Sequence, residues 1–116
     1  KVPILTTEEG QKIFDSRVIA CYLIEKHNLS KLTLEEENLV TSIYSCLDTG
    51  VILFLMKRDG FNIEDKGFFL SRNRARIPAN LKYLTPWVRN LDVKNDWKYP
   101  AMALYSFLYW GEKRVG

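Results

Sequence analysis

A handful of residues could do chemistry in this sequence. Asp15 and Ser16 stand together ahead of an apolar helical repeat, and either makes a good N-cap, its side-chain oxygen accepting an amide left unpaired at a helix start. His27, the only histidine, falls at the far end of the same helix. A cation there favours the terminal carbonyls, so capping suits it better than acid–base catalysis, and no metal site can be built on it. Asp48 interrupts the apolar stripe of a long second helix beside Tyr44 and Ile52. Arg72, Arg74 and Arg76 look like a basic cluster, yet helical spacing turns Arg74 well away from the other two, which is the pattern of a solvated helix. Cys21 and Cys46 lack a CxxC spacing and lie among apolar residues, so both read as buried free thiols.

The elements that must position these residues are legible. Val2 to Thr7 and Gln11 to Phe14 are short β-prone stretches, and Glu8-Glu9-Gly10 between them has the glycine a tight hairpin needs. Val18, Ile19, Tyr22 and Leu23 predict a helix from Ser16 to Lys26, broken by Asn28 and Ser30. Thr33-Leu34-Glu35-Glu36 resembles a capping box opening a helix of about six turns by the 3.6-residue count. Its inward stripe is Leu39 or Val40, Ile43, Leu47, Val51 and Phe54, and Asp59-Gly60 ends it. A third helix is expected from Glu64 to Arg89, striped by Ile77, Leu81, Leu84, Val88 and Leu91 and kinked at Pro78. The last stretch, Trp97 to Arg114, is apolar almost all round, as a helix at a domain's centre is.

The chain has 116 residues, within the range of one compact domain. Hydrophobic residues make up 47% and aromatics 13%, enough for a packed core and incompatible with disorder over most of its length. Lys plus Arg (17) against Asp plus Glu (14) leaves a net charge of +3, without the concentrated basic stripe of a nucleic-acid binder. No apolar run approaches the roughly 18 or more residues of a membrane span and no signal peptide is visible, so the expectation is a soluble, cytoplasmic protein with no nucleic-acid or membrane partner.

Two strands and one helix cannot cover their own edges, so the first 26 residues call for further strands to pair with. Those strands are not in the sequence, and the expectation is an α+β fragment whose remaining part precedes Lys1.

Val2-Pro3-Ile4-Leu5, a turn, then Phe14-Asp15-Ser16 with Ile19, Tyr22 and Leu23 resembles the second half of the thioredoxin-like domain of glutathione transferases. In that family a V-P-x-L strand precedes an acidic-Ser pair opening a helix of the form S-x-x-I-x-x-Y-L. The match is closest to small bacterial members with an F-D-S signature. The helical remainder is similar to the family's second domain in general pattern, Trp97 to Trp110 corresponding to its buried sixth helix. One departure is local: Lys98-Tyr99-Pro100-Ala101 stands where that helix usually opens with a capping box, and Asp96 or the Pro100 turn would have to replace it.

The resemblance implies a partial glutathione-binding domain over residues 1–26, a linker over 27–33 and an incomplete all-helical domain over 34–116. A cis bond before Pro3 would let the Val2 backbone hold the cysteinyl part of glutathione like an added strand. Ser16 would hold the γ-glutamyl carboxylate at the helix N-terminus, and Asp15 would sit near the γ-glutamyl ammonium. Tyr44 and Asp48 would line the pocket for the second substrate. The activity implied is conjugation of the glutathione thiol to a small electrophile, with glutathione as co-substrate and no metal. The catalytic residue would lie upstream of Lys1. A homodimer is implied as well, built on the first two helices with Arg17 and Tyr22 in contact. The alternative is a non-catalytic glutathione-transferase-like module that binds other proteins.

Overall fold

The computed structural model describes residues 3–92, 94–95 and 97–114. Four helices and one two-stranded antiparallel sheet follow one another as β1 (Leu5–Thr6), β2 (Lys12–Ile13), α1 (Ser16–Lys26), α2 (Leu34–Arg58), α3 (Phe68–Arg89) and α4 (Tyr99–Arg114). The chain is therefore mostly helical with a small sheet. It divides into two compact units, residues 1–33 and 34–116.

In the first unit, β1 and β2 pair Leu5 with Ile13 and Thr6 with Lys12. The hairpin closes because the Gly10 amide donates to the Thr7 carbonyl at 2.9 Å while Gly10 takes a φ of 86°, which glycine adopts without steric cost. Thr7 is buried, and its hydroxyl accepts from the Gln11 amide at 3.1 Å, so the loop is pinned from inside. Helix α1 ends in a Schellman arrangement. His27 is the C-cap, Asn28 turns left-handed at φ 54°, and the Leu29 amide donates to the Ile24 carbonyl at 2.9 Å. No residue of α1 is buried, and Cys21 is exposed rather than buried as the sequence suggests. The apolar pattern around it is real, but a hairpin of two residue pairs and a helix of three turns supply no second layer to cover it.

In the second unit, α2 packs against both α3 and α4. The core joins Leu39, Ile43 and Cys46 of α2 to Leu84 of α3 and to Leu104 and Phe107 of α4. Helix α2 ends as α1 does: Gly60 is left-handed at φ 92° and the Phe61 amide donates to the Met56 carbonyl at 3.0 Å. By length and composition α2 is also apolar enough to cross a bilayer, which corrects the reading of apolar runs: between Glu37 and Lys57 only Asp48 is charged. A core helix passes the same test, and 39% of its most apolar window is buried within the chain.

Helix α3 starts at Phe68, four residues later than the sequence suggests. The Asn62 side chain accepts from the Glu64 amide and donates to Asp65, and the Arg74 guanidinium donates to the carbonyls of Ile63 and Asp65. Side chains thus satisfy the backbone in a non-helical turn. Arg74 is the one member of the arginine trio that is half-buried, while Arg72 and Arg76 stay exposed. The helix runs on through Pro78 and Pro86, each of which removes one amide from the ladder. Of its expected stripe only Leu84 is fully buried, and Leu81 and Val88 are exposed.

Helix α4 begins with the Met102 amide donating to the Lys98 carbonyl, and Pro100 sits in the first turn, where its missing amide costs nothing. Asp96 lies outside the described residues. Within this unit α4 is not central: Pro100, Ala101, Leu104 and Phe107 are buried, whereas Met102, Tyr105, Leu108 and Tyr109 are exposed. A helix buries the faces its neighbours reach, and α2 reaches one face of α4.

Candidate functional site

The first unit places the Asp15-Ser16 pair at the start of α1. Asp15 takes extended backbone angles (φ −104°, ψ 133°), its carbonyl accepts from the Ile19 amide at 2.8 Å, and its carboxylate accepts from the Arg17 amide at 3.2 Å. Asp15 is therefore the N-cap and Ser16 the first helical residue. Sequence alone left the cap open between them, because both side chains can perform it. Ser16 is half-buried and Pro3 is exposed. Val2 lies outside the described residues.

A helix start of this kind favours anions, because the first amides point outward and the dipole is positive there. The Asp15 carboxylate already uses part of that capacity.

The second unit places Tyr44 and Asp48 one turn apart on α2. The Tyr44 hydroxyl lies 2.7 Å from that of Tyr99, with ring centroids 6.4 Å apart, and Asp48 is exposed. Among the described residues, two cavities of this unit are lined by residues other than Tyr44 and Asp48. The smaller, about 160 Å³, lies between Leu39, Trp87 and Pro100 with Glu36 and Lys98 on its wall. The larger, about 460 Å³, is bounded by the C-terminal half of α2, by Ile63 and Ile77, and by Arg114. Gly50 on its wall allows a close approach: a Cβ there would stand 3.1 Å from the Trp110 ring and 4.0 Å from Ile77, so α3 and α4 side chains lie close to the α2 backbone. The signal for this glycine in the sequence is its position inside an otherwise bulky helical stripe.

Two thiols differ in setting. Cys46 is buried, with its sulfur 3.9 Å from the Ile77 carbonyl oxygen. Burial raises its thiol pKa above the ordinary value, partly opposed by a hydrogen bond from the Asn80 side chain. Among the described residues no group of three or more His, Cys, Asp or Glu could hold a metal ion. No protein-family model, no curated protein and no solved structure matches the chain.

Proposed function

We infer that this chain carries half of a glutathione site in a glutathione transferase, and that the whole protein joins the glutathione thiol to a small electrophile. A single observation carries the reading. A strand entered through Val2-Pro3-Ile4-Leu5, a tight turn and an acidic-Ser pair at the head of an 11-residue helix come in the order and spacing that resemble the second half of the thioredoxin-like domain. In this reading the Val2 backbone and Pro3 hold the cysteinyl moiety, Ser16 the γ-glutamyl carboxylate and Asp15 the γ-glutamyl ammonium. Residues 1–116 are assigned binding and positioning, and thiol activation is assigned to none of them. The reading also carries a two-fold assembly through α1 and α2, which light scattering reads as twice the chain mass.

The setting of Tyr44 favours a second reading, a glutathione-transferase-like module without turnover. Its hydroxyl is engaged with that of Tyr99 rather than open to a substrate.

Ser16→Ala in the native-length protein tests the primary reading by calorimetric titration with glutathione. Loss of one charge-assisted hydrogen bond, typically about 1.5–3 kcal/mol, weakens binding roughly tenfold to a hundredfold. Unchanged affinity would return Ser16 to an ordinary first-turn residue. Turnover of an aromatic electrophile by the parent protein separates the enzyme from the binding module.

A further inference from the structure

The larger cavity has an uneven wall. Gly50 and Leu53 are buried, Phe54, Ile63 and Ile77 are half-buried, and the remaining lining residues, Lys57, Arg58 and Arg114, are exposed. Burial therefore sorts the lining into an apolar floor and a cationic mouth, with no acidic residue on either. At about 460 Å³ the space lies within the range of small-molecule sites, about 300–1,000 Å³.

The cations have an ordinary reason to be where they are. Lys57 and Arg58 close α2 and Arg114 closes α4, and positive side chains compensate the carbonyls at helix ends. That role explains a cation at each helix end, but it does not require both ends to converge on one apolar hollow.

We propose that this cavity binds a free, single-chain amphiphilic monoanion, an alkyl carboxylate of medium length, its chain on Leu53, Ile63 and Ile77 and its head among Lys57, Arg58 and Arg114. The floor selects for chain length, since each CH₂ it buries strengthens binding about fourfold. The mouth selects the sign of the head group, because three positive charges without an acid among them attract a carboxylate and repel an ammonium. The site involves neither Asp15 nor Ser16, so it stands or falls independently of glutathione binding.

Isothermal titration of the native-length protein with octanoate, decanoate, decanol and decyltrimethylammonium, all below their aggregation concentrations, tests the proposal. Decanoate is expected to bind one per chain, about sixteenfold more tightly than octanoate and at least tenfold more tightly than decanol, with the ammonium weakest. The combined exposed changes Lys57→Gln, Arg58→Gln and Arg114→Gln should weaken decanoate at least tenfold and decanol less than twofold. A lowered melting temperature without that selective loss assigns the cations to the helix ends alone and overturns the proposal. Equal affinity for decanoate and decanol, several sites per chain or no saturable binding overturns it as well. A second variant locates the ligand: Ile63→Trp, in the loop rather than the core, narrows the cavity and should weaken decanoate about tenfold, and unchanged affinity there overturns the assignment.

Discussion

The hydroxyls of Tyr44 on α2 and Tyr99 at the start of α4 lie 2.7 Å apart, in a pair half-covered by the helices that carry them. A neutral hydrogen bond of this kind contributes about 1 kcal/mol. Tyr44→Phe and Tyr99→Phe should each lower stability by about that amount. The double variant should lose clearly less than the sum, because removing both hydroxyls leaves neither behind in a partly covered site. Urea unfolding of the four proteins gives the coupling, and strict additivity would mean that the two hydroxyls do not interact in solution.

Asp15 separates capping from ligand charge. Asp15→Ala removes the side-chain acceptor for the Arg17 amide and should cost about 1 kcal/mol of stability. Asp15→Asn keeps an acceptor and should melt close to the parent. If Asp15 also faces the γ-glutamyl ammonium, both variants lose glutathione affinity, roughly tenfold. Parent-like affinity in Asp15→Asn would leave Asp15 as a cap only.

Gly50 sets the approach of α2 to α4, since a Cβ there would stand 3.1 Å from the Trp110 ring. Gly50→Val should destabilise by about 1–3 kcal/mol through overpacking, against a gain of under about 1 kcal/mol from replacing a helical glycine. In a Trp110→Ala background the same change should be tolerated, because the ring it meets is gone. Thermal melts of the cycle report this, and an equal penalty in both backgrounds would place the conflict elsewhere.

Cys21 and Cys46 should react unequally. In the folded protein an aromatic disulfide reagent is expected to modify one thiol promptly, Cys21, and to reach Cys46 only after unfolding. Peptide mass mapping after brief labelling identifies the site, and prompt modification of both would contradict the burial of Cys46.

Burial also ties Cys46 to pH. Its folded-state pKa is raised above the ordinary thiol value of 9.0, so above that value the unfolded chain releases a proton that the folded chain retains. Stability from this group is thus present below about pH 9 and falls as pH rises beyond it. Cys46→Ala should show a shallower loss between pH 8.5 and 10 than the parent, and parallel curves would show that the thiol contributes no linkage.

The local punctuation of the fold is written in short stretches of chain. Gly10 turns the hairpin, Asn28 and Gly60 terminate α1 and α2 in left-handed conformations, and α1 spans Ser16–Lys26 as its apolar repeat and flanking signals predict. These features depend on residues within a few positions of one another, and their energetics are those of backbone angles and nearby hydrogen bonds. The start of α3 shows the limit of that reach: Arg74 donates to carbonyls 9 and 11 positions earlier, and the turn it stabilises displaces a helix start that periodicity places at Glu64.

Which apolar faces are covered is settled by the packing of distant elements. Cys21, Leu81, Val88 and half of α4 carry the periodicity of buried residues yet stand exposed, while Thr49 and Asn73 are buried despite their polarity. Periodicity states that a face is apolar, whereas burial requires a neighbour to arrive there. The larger cavity follows the same rule: Leu53, Ile63, Ile77 and Arg114 come from different elements, and no spacing along the chain joins them. The close approach of Trp110 and Ile77 to the α2 backbone at Gly50 is likewise a matter of side-chain volume in three dimensions that a one-dimensional pattern does not encode.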